Sequence, residues 1–460
     1  MSGEIPAHAP APASAHEAAI GGVLDDLRTF RHAFWAPVLL GAIMLFDSWD
    51  SIAIAYAMPT LSAEWRLNPL TMGFIISAGY GGQFLGAVSL GAVAERFGRM
   101  PVFLASAAVM CVLAVACGFA PDYTTLLILR LVQGLMIGGA MPVAITYINE
   151  LAPAKTRGRY FGIFQTIAIS GFGIASLCSP FVIPHLGWRW MLGLGAFPLV
   201  LLPLAWMTLP ESPRWLARIG RLEAANKALV KLGGAPVLFT NQTTAEHTPN
   251  DEPKARRLNV LVLVSAPLRA RTLTVTLLWF LTMFTSFGLT TWVPSIYVKV
   301  FHIPVVRALS YTAATSLSII FFLAIIGILI DRFGRRPLVM GGLLVTTVML
   351  LGMAVFRPTQ ETVLVGMVAT GQVAILFGAF IVWPYTAEVY PTDVRAFGLG
   401  YGSAVGRASS IVTPIFVGFV LNRGAPIGIV FACFGLCALG AFMVWLLRTD
   451  ETAGKPLHAI

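Results

Sequence analysis

Two carboxylates, Asp47 and Asp50, stand three residues apart in LFDSWDSIAIAY, a stretch otherwise apolar enough for a membrane interior. On a helix that spacing leaves them about 60° apart with roughly 4.5 Å of rise, so they share a surface. Neighbouring carboxylates do not both ionise cheaply at low dielectric, which suits such a pair to taking up and releasing a proton. Three more ionisable residues keep similar company: Arg130, Arg407 in VGRASSIVTP, and Glu388 at the end of another apolar run. A charged side chain near a bilayer centre costs about 2.5–3.5 kcal/mol on insertion scales, so such groups face a polar cavity and act there.

The elements that must position these residues follow from composition. The 460 residues are 57% hydrophobic and 11% charged, with a mean hydropathy of +0.80, values that belong to a membrane protein. Twelve apolar stretches of about 20 residues, each bounded by Pro, Gly or charge, use most of the chain. Residues 1–33, rich in Ala, Pro and His, read as a disordered cytoplasmic tail, with no basic region feeding a cleavable apolar core. Residues 34–209 and 272–448 hold six spans each. Residues 210–271 form a cytoplasmic linker with a short amphipathic helix around 222–232, and 449–460 a cytoplasmic tail. Most of the 31 Lys and Arg fall on the side of the termini, which places both termini in the cytoplasm and accounts for the net charge of +10 without nucleic acid. The sequon Asn241-Gln242-Thr243 then lies on the cytoplasmic side. Cys111, Cys117, Cys178, Cys433 and Cys437 sit in apolar segments without metal-ligand or framework spacing.

Depth now pairs the charges. At about 1.5 Å per residue from the cytoplasmic ends, Asp50 sits roughly 24 Å up, Arg130 about 28 Å and Arg407 about 17 Å. Asp50 and Arg130 can therefore meet. Protonation of Asp50 removes the counter-ion of Arg130 and lets an anion take its place, which couples a proton to an anion with no covalent step.

The chain also repeats. GAVAERFGR, residues 91–99, returns as GILIDRFGR at 327–335, and ELAPAKTRG at 150–158 is echoed by EVYPTDVRA at 388–396. With RLVQG at 130–134 and PESPRWL at 210–216, these motifs resemble the major facilitator superfamily, whose signature is G-x-x-x-D/E-R-x-G-R, over essentially the whole chain. The resemblance implies an all-α membrane protein of two pseudo-symmetric six-helix bundles around a central cavity, with alternating access by rocking of the halves. Glu95 with Arg99, and Asp331 with Arg335, are placed to pair with each other and with Glu150 or Glu388 and Arg157 or Arg395, as ion pairs that lock one face and break when it opens.

Within the superfamily, an Asp of the first helix and an Arg of the fourth form the coupling pair of sugar porters, and these align with Asp50 and Arg130. Asp47-Ser48-Trp49-Asp50 looks like the DGxD signature of aromatic acid:proton symporters, with Ser48 where Gly is usual. Span seven lacks the paired glutamines of sugar porters, whereas Trp292 and Tyr297 resemble the W-x-P segment of the nicotinate and organic-ion branch. Phe380, Trp383 and Tyr385 add aromatic walls. The resemblance makes Gln165 a substrate ligand and Arg407 a carboxylate partner, and a planar guanidinium suits bidentate binding.

These readings imply a proton-coupled importer of a small, flat organic acid in a bacterial inner membrane, working as a monomer with protons and the bilayer as its other partners. A proton-driven drug or metabolite exporter, a sugar porter and a non-transporting nutrient sensor remain as alternatives. No cofactor is expected: the spans carry no His pair, no nucleophile with a base and no Walker loop, so neither enzymatic chemistry nor ATP is indicated.

Overall fold

The computed structural model describes residues 12–25, 35–153, 156–237, 262–263, 265–266, 268–391, 394–449 and 451. The sequon at Asn241 and the side chain of Asp331 lie outside the described parts. Twelve helical segments are long and apolar enough to cross a membrane, as expected where every backbone polar group must be satisfied within its own segment. After α1 (Pro12–Asp25), the first half comprises α2 (Trp35–Glu64), α3 (Pro69–Phe97), α4 (Arg99–Gly118), α5 (Tyr123–Leu151) and α6 (Arg157–Leu186). Its sixth span runs through α7 (Trp188–Gly193), a 3-10 stretch (Leu194–Val200) and α8 (Leu202–Thr208). Helices α9 (Pro213–Arg218) and α10 (Leu222–Lys231) follow in the linker. The second half comprises α11 (Arg269–Lys299), α12 (Val305–Phe333), α13 (Arg335–Phe356), α14 (Glu361–Val389), α15 (Arg395–Asn422) and α16 (Ile427–Arg448).

Local sequence sets several helix starts. Asn68 accepts from Thr71 N at 2.8 Å ahead of Pro69, and Asp122 accepts from Thr125 N at 2.9 Å. Both are side-chain caps for orphan N–H groups. The amino-terminal segment departs from the expected disorder. Residues 12–25 are helical, and Ile20 and Leu24, one turn apart, are buried with the core of the first half. Helix α1 packs against α9, with Asp25 3.9 Å from Arg214. Composition suggested a solvated tail because the apolar pair is short and its partner lies almost 200 residues downstream.

The distribution of apolar cores defines how the halves meet. One cluster draws on both: Trp49, Met72 and Leu126 from the first, Trp292, Val417 and Phe434 from the second. Its members lie toward the end remote from the 91–99 and 327–335 loops, called here the far end. At the signature end the cores are separate, one around Leu40, Phe103, Tyr147 and Trp215, the other around Trp279, Leu343, Ile381 and Trp445. The seam is made by α3 on α15, α6 on α12 and α2 on α11. Ser77 Oγ donates to Ile411 O at 2.7 Å, and Tyr80 meets Phe287 edge-on at 5.3 Å.

Glycine makes the closest part of the seam. A Cβ on Gly73 would lie 2.4 Å from Pro414 O, and one on Gly418 would lie 2.4 Å from Pro69 O. Because the obstacles are backbone atoms, no rotamer change relieves them. Gly73→Ala is therefore expected to part α3 and α15 at the far end while leaving each half folded. Spin labels on those two helix ends report the separation, and an unchanged distance distribution would show that the seam does not depend on this approach.

Candidate functional site

Helix α2 presents its two aspartates to different neighbours. Asp50 is 1% exposed and turned into the first half. Arg130 Nη1 of α5 donates to Asp50 Oδ2 at 2.8 Å, and Nη2 donates to its carbonyl at 3.3 Å. Gln133, one turn along α5 in RLVQG, closes the network by donating to Asp50 Oδ1 at 3.0 Å and accepting from Arg130 Nη1 at 3.0 Å. Asp50 and Arg130 meet as their matching depths along the two helices require. Gln133 was not among the residues singled out by sequence, although its i, i+3 spacing from Arg130 carries that signal.

Asp47 is 9% exposed, and its buried Oδ1 has no hydrogen-bond partner. Asp47 interacts electrostatically with its neighbour Asp50 and, across the halves, with the opposite charge of Arg407 of α15. The Arg407 guanidinium makes no hydrogen bond and no ion pair within 4.0 Å to a described residue. The two aspartates thus have separate partners, one sealed inside a bundle and one between bundles. A buried pair that loses one member is destabilised by about 3–5 kcal/mol. Asp50→Asn is expected to lower stability by that order, and Asp47→Asn to cost far less, as thermal unfolding of the purified protein would show; equal losses would contradict this division.

The other expected site residues distribute unevenly. Gln165 of α6 keeps a buried Oε1 without a partner. Trp292 and Tyr297 of α11 are buried in the shared far-end core, and Trp292 Nε1 and the Tyr297 hydroxyl also lack partners. Trp383 of α14 stands edge-on to Trp279 of α11 at 4.6 Å and is 46% exposed, with Phe380, one turn away, 42% exposed. Tyr385 does not join them. It is buried in the core of the second half against Trp445, ring centroids 4.6 Å apart, because two residues along a helix rotate it by about 200° from Trp383. Thr282 and Gln372, not singled out by sequence, are buried polar groups of the second half with an unpartnered oxygen each.

At the signature end Arg99 and Arg335, two of the expected residues, form ion pairs with acids of their own half. Arg99 is buried and donates to Glu95 at 2.7 Å and to Glu150 at 3.2 Å, while Arg218 of α9 also pairs with Glu95. In the second half Arg335 pairs with Glu388 at 2.9 Å. Arg157 forms no ion pair to a described residue, and Arg395 begins α15 at the same end. In this state the charges brace each bundle rather than lock one bundle to the other, because the two cores are apart at this end.

Two carboxylates missed by sequence complete the pattern. Glu211, in PESPRWL, accepts from the N–H groups of Arg99 at 3.1 Å, Met100 at 3.2 Å and Ser212 at 2.8 Å. Glu451 does the same for Arg335 at 3.0 Å and Arg336 at 2.9 Å. Each caps a helix start from a distant part of the chain and meets the positive end of the helix dipole. The glycines between the paired helices make room: Gly98 (φ 105) and Gly334 (φ 86) would each put a Cβ within 2.3 and 2.7 Å of those carboxylates. Burial pushes the Glu211 carboxyl above its ordinary range, against the downward pull of its N–H donors. A raised folded-state value means a stability contribution that is present at low pH and lost as pH rises through that value. The stability difference between wild type and Glu211→Gln should accordingly shrink from acid to neutral pH in thermal unfolding; a difference that grows would refute this assignment.

Comparison with known proteins agrees with this architecture. Residues 47–460 match the family described as Sugar (and other) transporter. The niacin transporter NiaP of Acinetobacter baylyi is 33% identical over 430 residues, covering 92% of this chain and 95% of the relative. The gallate transporter of Pseudomonas putida is 30% identical, with 89% and 90% covered, and the benzoate transport protein of Acinetobacter baylyi 25% identical, with 95% and 94% covered. Among solved structures, the xylose transporter XylE of E. coli in an inward-open conformation shares the fold with a TM-score of 0.68 at 20% identity, covering 93% of this chain and 98% of that one. The chain belongs to the Sugar (and other) transporter family.

Proposed function

We propose that this protein is a proton-coupled symporter that imports a small aromatic or heteroaromatic monocarboxylate across a bacterial inner membrane, with both termini in the cytoplasm. The observation that carries the reading is the electrostatic interaction of Asp47 with Arg407 across the halves, with Asp47 Oδ1 left without a hydrogen-bond partner. Ionised Asp47 is the counter-charge of Arg407. A proton on Asp47 removes that counter-charge, and the substrate carboxylate takes the planar fork of the guanidinium in its place. Helical depth alone points to Arg130 for this exchange. Its seal by Asp50 and Gln133 favours Arg407 as the substrate's partner and Arg130 as the group that holds Asp50 in place.

The aromatic faces of Trp383 and Phe380 suit a flat ring, and relatives named for niacin, gallate and benzoate support the same class. Separate cores at the signature end and a shared one at the far end correspond to a site open toward the cytoplasm. Transport then requires the far-end seam to part and the signature-end charges to meet across the halves. Each half contributes to one site, so a monomer suffices.

Proteoliposomes given a pH gradient and labelled nicotinate, benzoate, gallate or xylose test this. Accumulation of the acids and not of xylose is expected. Asp47→Asn should retain exchange of acid for acid and lose gradient-driven accumulation, whereas Arg407→Gln should lose both. Gradient-driven accumulation that survives either substitution would remove the coupling scheme.

A further inference from the structure

Helix α11 ends in a stripe of donors at the far end. Trp292, Ser295 and Lys299 stand at i, i+3 and i+7, so they share one face over about 10 Å of helix. Lys299 aims that face at the other half, with Nζ 3.6 Å from Met72 Sδ of α3. Thioether sulfur is a weak acceptor for an ammonium. Trp292 Nε1 and Ser295 Oγ are on residues 1% and 2% exposed and have no partner at all. An indole N–H, a hydroxyl and an ammonium therefore line up along the seam with no proper acceptor.

Nor does an acid stand ready to serve them. At the far end Glu64 is held by Trp188 at 2.6 Å and Arg189 at 2.9 Å, Glu361 by Arg307 at 3.1 Å and Tyr311 at 2.9 Å, and Asp122 caps α5. Arg66 and Arg357, at the same end, pair with no described acid. The mouth at this end is a field of uncompensated positive charge, and the donor stripe lies where it would open.

We propose that Trp292, Ser295 and Lys299 form an anion-binding station at the outer mouth of the substrate path. When the far-end seam parts, the ammonium leaves Met72 and the three donors face the opening. They take the carboxylate of the entering acid before Arg407 receives it, and the surrounding charge draws the anion in at a rate that falls with ionic strength. This rests on the reading that the chain carries an organic anion.

The test is uptake of labelled nicotinate by right-side-out and everted membrane vesicles containing the full chain. In right-side-out vesicles Lys299→Gln and Ser295→Ala should each raise half-saturation, the former about tenfold, as expected for one charge-assisted bond. Lys299→Arg should restore it. The salt dependence seen in wild type should weaken in Lys299→Gln, with the remainder carried by the other uncompensated charges such as Arg66 and Arg357. In everted vesicles half-saturation should not rise; only the maximal rate should fall, as microscopic reversibility requires. Unchanged half-saturation in right-side-out vesicles, or an equal rise on both sides, overturns the station while leaving the transport reading intact. Wild-type vesicles that take up neither nicotinate, benzoate nor gallate would fail the transport reading and the station with it.

Discussion

An ion inside a bilayer-spanning bundle must have a partner or a reason to lack one, and the two aspartates of α2 divide on that constraint. Asp50 is fully engaged by Arg130 and Gln133, so the pair is a fixed internal strut of the first half. Asp47, a turn away, has Arg407 of the other half as its opposing charge and keeps an unpartnered oxygen. One element thereby links the rigid interior of a bundle to the variable space between bundles. The first pair resists change because separating it leaves an uncompensated charge, while the second is poised to change because nothing yet saturates it.

The same contrast orders the whole molecule. Within each half, helix starts and charges are tied down: Glu211 and Glu451 cap α4 and α13 from far along the chain, and Arg99 and Arg335 are held by acids of their own bundle. Between the halves, contact is concentrated at the far end, where Gly73 and Gly418 allow backbone to touch backbone. Parting that seam would wet aromatic surface worth about 25 cal/mol per Å². An alternating-access cycle must therefore bury comparable surface at the signature end as it exposes this one. Rigid halves and a movable seam are what such a cycle needs.

Much of this was legible in one dimension. Twelve apolar stretches, a duplicated signature and the meeting of Asp50 with Arg130 follow from hydropathy, repetition and helical rise. The linker helix appears at Leu222–Lys231 as its amphipathic pattern suggested. Less legible were contacts whose partners are remote in sequence. Glu451 meets the start of α13 more than 110 residues away, and Ile20 and Leu24 need a linker helix beyond α8 to cover them. Tyr385 lies two residues from Trp383 along the chain, yet helical rotation sends it to Trp445.

The sequence alone determined which residues had to be inside and at what depth, because hydropathy and the rise of a helix are local properties. It also determined the two-fold architecture, since a repeated motif needs no tertiary contact to be recognised. Only the tertiary structure decided how each buried charge is employed. Whether an aspartate is sealed or left facing a gap depends on helix rotation and on which bundle supplies the opposing group. Those are set by packing between segments hundreds of residues apart, where no local pattern records them.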